Sequence, residues 1–156
     1  MALPPFQTLL DSYGRDVQRF LIANIGPVDA DDCWQETWLS ALRAYPSLKD
    51  ASNLRAWVFT IAHRKAIDHL RARGRRAIPV AEAAELAGAA PETALADEQL
   101  WSSVAQLPDK QRTAVTLRFL VDSSYAEIAD LMGSSEEAAR RNVHEALKRL
   151  RKELNR

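Results

Sequence analysis

The stretch that decides the fold opens with Leu107-Pro108-Asp109-Lys110-Gln111-Arg112. It continues through Tyr125-Ala126-Glu127-Ile128-Ala129-Asp130-Leu131-Met132-Gly133 and ends in a basic segment from Arg140 to Leu154. Tyr125, Ile128, Ala129 and Met132 recur at helical intervals and form the inner face of one helix. Gly133 then stands where a tight turn demands positive φ, which is cheap only for glycine. Ser134 or Ser135 is placed to cap a second helix, and Ser134 with Glu137 has the spacing of an S-x-x-E capping box. One face of that helix is apolar (Val143, Leu147, Leu150, Leu154), and the other carries Arg140, Arg141, His144, Lys148 and Arg151. A packed helix followed across a tight turn by a basic one is the layout of a helix-turn-helix that enters the DNA major groove. Arg140 and Arg141 are the strongest base or phosphate contacts, because the guanidinium fork suits both. Glu136 and Glu137 favour the positive helix N-terminus, and either can also accept a hydrogen bond from cytosine N4.

Around this segment the charge is unevenly spread. The 156-residue chain has no formal net charge, yet residues 51–76 carry seven Lys/Arg against Asp68 alone. Residues 138–156 carry seven against Glu145 and Glu153, whereas residues 29–36 carry four acids and no base, and 77–98 five acids and no base. Two basic segments suit phosphate contacts at separate places, and the acidic ones suit a different, basic partner. The single cysteine, Cys33, excludes an internal disulfide and a multi-thiolate metal site. No apolar run approaches the length of a membrane span, and the N-terminus lacks the layout of a secretory signal. The expectation is a soluble, cytoplasmic, all-α protein with no cofactor, no metal, no catalytic residue and no small-molecule substrate.

Helical periodicity extends through the first half as well. A first helix is expected from Phe6 to Ile25, ended by Gly26-Pro27. A second follows after Asp29 as cap and runs to Ala44, burying Trp34, Trp38, Ala41, Leu42 and Tyr45. Tyr45-Pro46-Ser47 breaks it, and a third starts after Ser52 or Asn53 and reaches about Arg73, with Leu54, Trp57, Val58, Ile61 and Leu70 inward. From Gly74 to Pro91 the pattern fails, which reads as a linker. Four helices follow, over about 92–106, 109–120, 124–132 and 135–155. The architecture expected is two small helical bundles, 1–74 and 92–156, joined by a flexible linker over 75–91.

Three stretches in order resemble the small two-domain sigma factors of bacterial RNA polymerase, the extracytoplasmic-function (ECF) group of the sigma-70 family. Asp29-Ala30-Asp31-Asp32-Cys33-Trp34-Gln35-Glu36-Thr37-Trp38 is similar to the family's acidic D-A-x-D-x-x-Q-E-x-F/W helix. Leu54-Arg55-Ala56-Trp57 through Ile61-Ala62-His63-Arg64-Lys65-Ala66-Ile67-Asp68-His69-Leu70-Arg71 resembles its F-R-A-W-L-x-x-I-A-x-N-x-A-x-D-x-x-R signature. Leu107-Pro108…Arg112 and Tyr125–Gly133 match its L-P-x-x-x-R…Y-x-E-I-A-x-x-L-G pattern. The resemblance implies a sigma region 2-like first domain and a region 4 helix-turn-helix second domain, and a protein that binds core polymerase at the β′ clamp helices and β flap. Asp31, Asp32, Gln35, Glu36 and Leu39 become the polymerase-facing set. His63, Arg64, Lys65, Arg71 and Arg73 become the −10 set, with His69 beside them. Glu136, Glu137, Arg140, Arg141, His144 and Lys148 become the −35 set. Anti-sigma factors are common partners in the family. Among the departures from the pattern, Arg64 replaces the usual asparagine, Ser134 an apolar residue and Ala139 a larger aliphatic.

Two other classes compete with that reading. A stand-alone helix-turn-helix regulator needs a ligand or receiver domain, and an acidic helix within some 70 helical residues does not resemble one. An enzyme built on Cys33 with His63 or His69 as base lacks a phosphate-cradling loop and neighbouring ligands, and Cys33 reads better as a small half-buried thiol.

Overall fold

The computed structural model describes residues 3–76 and 94–156, and every regular element among them is helical. The N-terminal half holds α1 (Phe6–Ile25), α2 (Pro27–Ala44), a 3₁₀ turn (Tyr45–Ser47) and α3 (Leu54–Arg76). The C-terminal half holds α4 (Ala94–Ala105), α5 (Asp109–Phe119), α6 (Tyr125–Met132) and α7 (Glu136–Leu154). Residues 75 and 76 belong to α3, and the rest of the expected linker lies outside the described residues.

Local chemistry sets the boundaries. Gly26, at φ 88°, turns the chain between α1 and α2. Pro27 is the first residue of α2, where its missing N–H costs nothing and its fixed φ is already helical. The second helix therefore starts earlier than a cap at Asp29 implies. Asp29 instead faces the side chains of α3, 3.5 Å from His69 Nε2 and 3.7 Å from Arg73 Nη1. At the start of α3, Asn53 Oδ1 accepts from the Ala56 amide at 3.0 Å, which makes Asn53 the cap. The Leu-Pro-Asp-Lys-Gln-Arg motif is a corner between α4 and α5. Arg112, buried, donates to the carbonyls of Ala105 and Leu107 at 3.1 Å each and pairs with Asp109 at 2.6 Å.

The core of the N-terminal half is aromatic. Phe20 meets Phe59 edge-on at 5.7 Å, and Phe6 meets Trp38 and Tyr45 at 5.8 and 5.4 Å. Trp34 donates its indole N–H to the Gly14 carbonyl at 2.9 Å, pinning α2 to α1. Two burial expectations need correction. Leu42 is 51% exposed, on the outer face of α2. Phe59, absent from the inward set read for α3, is fully buried. Here α3 packs on α1 and α2 on one side and on α6 on the other, so it buries more than one stripe and periodicity alone undercounts its core.

The two halves are packed together rather than merely tethered. One continuous apolar cluster includes Phe20, Leu21, Val58 and Phe59 from the first half with Leu117, Val121, Ile128 and Val143 from the second.

Candidate nucleic-acid interface

The basic face of α7 rests on how the turn before it is held. Gly133 adopts the left-handed conformation (φ 63°), and the Ser134 amide reaches back to the Ala129 carbonyl at 2.9 Å. That bond spends Ser134 on the turn. Ser135 caps α7 instead, its Oγ accepting from Ala138 N at 3.1 Å. The capping box expected at Ser134 and Glu137 lies one helix earlier: Ser124 Oγ accepts from Glu127 N, and Glu127 Oε1 from Ser124 N, both at 3.1 Å. The Ser124 amide's bond to it, with a lesser one from Asn53, holds the Glu127 carboxyl below its ordinary range against the opposing effect of burial.

With the turn set, Ala139, Val143, Ala146 and Leu150 point inward. Ala139, smaller than the family's usual residue, is fully buried, so its small volume lets α7 sit close. Leu154, expected on the inner face, is 43% exposed, because α7 outruns the helices beneath it. Glu136, Glu137, Arg140, Arg141, His144 and Lys148 are all exposed and share the outer side. Arg140 is not loose: its guanidinium lies 5.1 Å from the Tyr125 ring centroid. Arg118 of α5 lies 4.5 Å from the same ring and donates to the Ser123 carbonyl at 3.0 Å. Sequence reading missed Arg118 and the clamping role of Tyr125, since only the fold brings residues 118, 125 and 140 together.

On α3 the expected set divides. Arg64 and Arg71 are exposed and Lys65 is half-buried. His63 is 8% exposed, and desolvation, assisted by the charge on Arg64, lowers its imidazole to a pKa of about 4. It is therefore a neutral interior group at physiological pH and does not stand beside Arg64 at the surface. Arg73 folds back onto the Ile25 carbonyl at 3.0 Å and onto Asp29, clipping α3 to the corner between α1 and α2.

The acidic helix presents Asp31, Asp32, Gln35, Glu36 and Leu39 outward, as expected. Asp31 accepts from Gln18 of α1 at 2.8 Å. Two apolar residues join this face that sequence reading did not place there, Val28 (54% exposed) and Leu42. Spacing along α2 puts 28, 32, 35, 39 and 42 on one stripe, so acids and aliphatic side chains form a single mixed surface. Behind it, burial and the nearby Glu36 carboxylate push the Cys33 thiol up to about 11. At neutral pH it is a protonated, enclosed thiol, unsuited to nucleophilic attack.

A helix-turn-helix with an outward basic face, joined to a bundle bearing an acidic and aliphatic helix, defines a sigma-70-type promoter-recognition subunit. The family model for sigma-70 region 2 matches residues 9–76, and that for sigma-70 region 4 matches residues 97–150. Two relatives extend the match across the chain. The ECF sigma factor SigF of Caulobacter vibrioides is 36% identical over 132 residues, covering 83% of this chain and 73% of that protein. SigD of Mycobacterium tuberculosis is 34% identical over 151 residues, covering 88% and 71%. Among solved structures, the sigma factor RpoE of Bartonella quintana, crystallised with the anti-sigma factor NepR, superposes with a TM-score of 0.83 at 25% identity, covering 96% of each chain. The chain belongs to the ECF RNA polymerase sigma factors of the sigma-70 family, and as such it directs promoter-specific transcription initiation.

Proposed function

We propose that three surfaces divide the work of initiation. The outer face of α2, with Asp31, Asp32, Gln35, Glu36, Leu39 and the added Leu42, docks on the β′ clamp helices of core polymerase. Carboxylates give such a contact its orientation and exclude DNA, and exposed aliphatic side chains give it buried area. Arg64, Lys65 and Arg71 of α3 hold the opened −10 strand. The outer face of α7 enters the major groove at −35, with Arg140 and Arg141 as its principal contacts and Glu136, Glu137, His144 and Lys148 flanking them. Arg118, gathered with Arg140 on Tyr125, takes a backbone phosphate at the groove edge. In this reading 1–74 and 92–156 are the two functional modules, and region 4 also meets the β flap. The protein performs no catalysis itself, works in the cytoplasm where polymerase and chromosome are, and accepts a protein of the anti-sigma class, as the Bartonella relative does. Among the described residues no helix is long and apolar enough to cross a membrane.

One observation carries the proposal: the exposed acids and the exposed recognition-helix bases lie on different helices in different halves. Arg140→Ala with Arg141→Ala is expected to weaken promoter binding by tenfold or more and leave binding to core polymerase unchanged. Asp32→Ala with Glu36→Ala is expected to do the reverse. Parallel loss of both activities in both variants refutes the division.

A further inference from the structure

Arg140 and Arg141 are neighbours in sequence with different surroundings. Successive side chains on a helix are turned by about 100°. The inner stripe of α7 is Ala139, Val143, Ala146 and Leu150, all buried. Opposite it, on one turn after another, stand Glu137, Arg141, His144 and Lys148, all exposed. Arg140 lies about a quarter turn from the inner stripe, on the flank of α7 that meets the start of α6. There its guanidinium carbon sits 5.1 Å from the centroid of the Tyr125 ring. Arg118 of α5 sits 4.5 Å from the same centroid and donates to the Ser123 carbonyl at 3.0 Å. The first residue of α6 thus gathers a cation from each of its neighbouring helices in the motif. Arg141 has no such tie: among the described residues it forms no ion pair and stacks on no ring.

Two guanidinium groups on one ring repel each other, and attraction to the ring offsets only part of that repulsion. No carboxylate of the described residues supplies the rest. Asp122 follows Arg118 by four residues and Glu136 precedes Arg140 by four, and both acids are exposed, yet neither pairs with either arginine. The cluster is therefore short of an anion. A guanidinium stacked by its face keeps its N–H edges free to donate while its swing is restricted, which suits the oxygens of a phosphodiester. Reading a base asks for a fork that projects from the helix into the groove, as Arg141 does. The fork suits guanine and phosphate alike, so the residue type does not separate the two arginines. Their surroundings do.

We propose that the adjacent arginines divide the −35 contact: Arg140, held with Arg118 on the Tyr125 ring, clamps a backbone phosphate, and Arg141 reads a guanine edge. Tyr125 is the positioning residue of the clamp. This rests on the promoter-binding reading above. Phosphate contacts fix register and orientation without carrying sequence, whereas base-edge contacts carry it. The clamp fixes one flank of α7 against the DNA backbone. The stripe of Glu137, Arg141, His144 and Lys148 is then laid along the base edges, and discrimination falls to Arg141 rather than to the pair.

The test uses holoenzyme formed from the full-length chain and core polymerase. Its probes are a promoter duplex from which that holoenzyme initiates and every single base-pair variant of its −35 element. Arg140→Ala is expected to weaken binding to all of these duplexes by a common factor of about tenfold. It should keep their order of preference and lower the slope of log affinity against log salt by about 1. Arg141→Ala is expected to lose about fivefold or more of discrimination at one base pair and keep it at the others. Tyr125→Leu removes no charge, yet should weaken all duplexes alike. Its loss and that of Arg140→Ala should combine to less than their product, whereas its loss and that of Arg141→Ala should multiply. Tyr125→Phe keeps the ring and should bind as the wild type does. Binding to core polymerase, read first, shows that each variant is folded; should Tyr125→Leu fail there, the arginine variants still decide. A changed base preference in Arg140→Ala, a uniform loss in Arg141→Ala, or equal coupling of Tyr125 to both arginines overturns the proposal. If the wild-type holoenzyme does not distinguish the −35 variants at all, the promoter-binding reading fails instead, and the two failures are told apart.

Discussion

His63 offers the sharpest test of the difference between a surface reader and an interior residue. In the folded chain its imidazole stays neutral down to about pH 4, because burial disfavours the cation and Arg64 opposes it. In the unfolded chain it titrates near 6.5. Between those values the unfolded state binds the extra proton, so this group's contribution to stability is complete above about pH 6.5 and is lost as the pH falls towards 4. The full difference corresponds to about 3 kcal/mol, of which about 2 kcal/mol is gone by pH 5. That is a sizeable part of the ~5–15 kcal/mol by which such domains are stable. Urea unfolding of the wild type and His63→Gln at pH 7.5 and pH 5 isolates the effect, since all other titrations cancel in the comparison. The wild type is expected to lose about 2 kcal/mol more than the variant on acidification. At pH 7.5 the folded variant should still support run-off transcription within about twofold, a shift under 0.5 kcal/mol. Equal pH dependence in the two proteins, with selective loss of −10 recognition in the variant, would show that His63 faces DNA and that its burial has been misread.

Four further outcomes follow from particular contacts. Ser135→Ala should cost about 1 kcal/mol in unfolding free energy through loss of the α7 cap, whereas Ser134→Ala should be nearly neutral. Phe59→Ala should lower stability by about 3–5 kcal/mol in denaturant titrations, the range for an emptied aromatic site, and leave the DNA-facing cations in place. Arg118→Ala should weaken promoter binding across all sequences and reduce the slope of log affinity against log salt by about 1, the mark of one lost phosphate contact. Leu42→Ala should change unfolding free energy by less than about 0.5 kcal/mol while weakening the pull-down of core polymerase, since its side chain is outside the core.

Element type and order were readable because each helix carries its own local signals. Gly26-Pro27, Asn53, Leu107-Pro108, Ser124 and Gly133 punctuate the chain through bonds that span only a few residues. Where local signals competed, the reading slipped. Ser134 and Ser135 are both good caps, and the back-bond from Ser134 to Ala129, a property of the folded turn, gave the role to Ser135. The acidic face of α2 was legible because exposed charge must find water or a partner. Leu42 was not, since an aliphatic residue at a helical interval reads as core until the packing shows that nothing covers it. The three families of site residues fared differently, the α2 and α7 sets lying wholly exposed and the α3 set dividing. Arg140, Arg141 and Lys148 are where amphipathicity places them, while His63 is buried and Arg73 is clipped to the corner between α1 and α2.

Sequence alone determined that this chain is helical, where its helix-turn-helix lies, and which sigma-factor family it belongs to, because periodicity, caps and motif order act over one or two turns of backbone. Tertiary structure alone decided that Phe59 is core and Leu42 is not, that Arg118 and Arg140 share one aromatic ring, and that Asn24 reaches Thr116. Those outcomes depend on which helix covers which face, and that is set by the summed packing of segments far apart in the chain, such as Asn24 and Thr116, 92 residues apart.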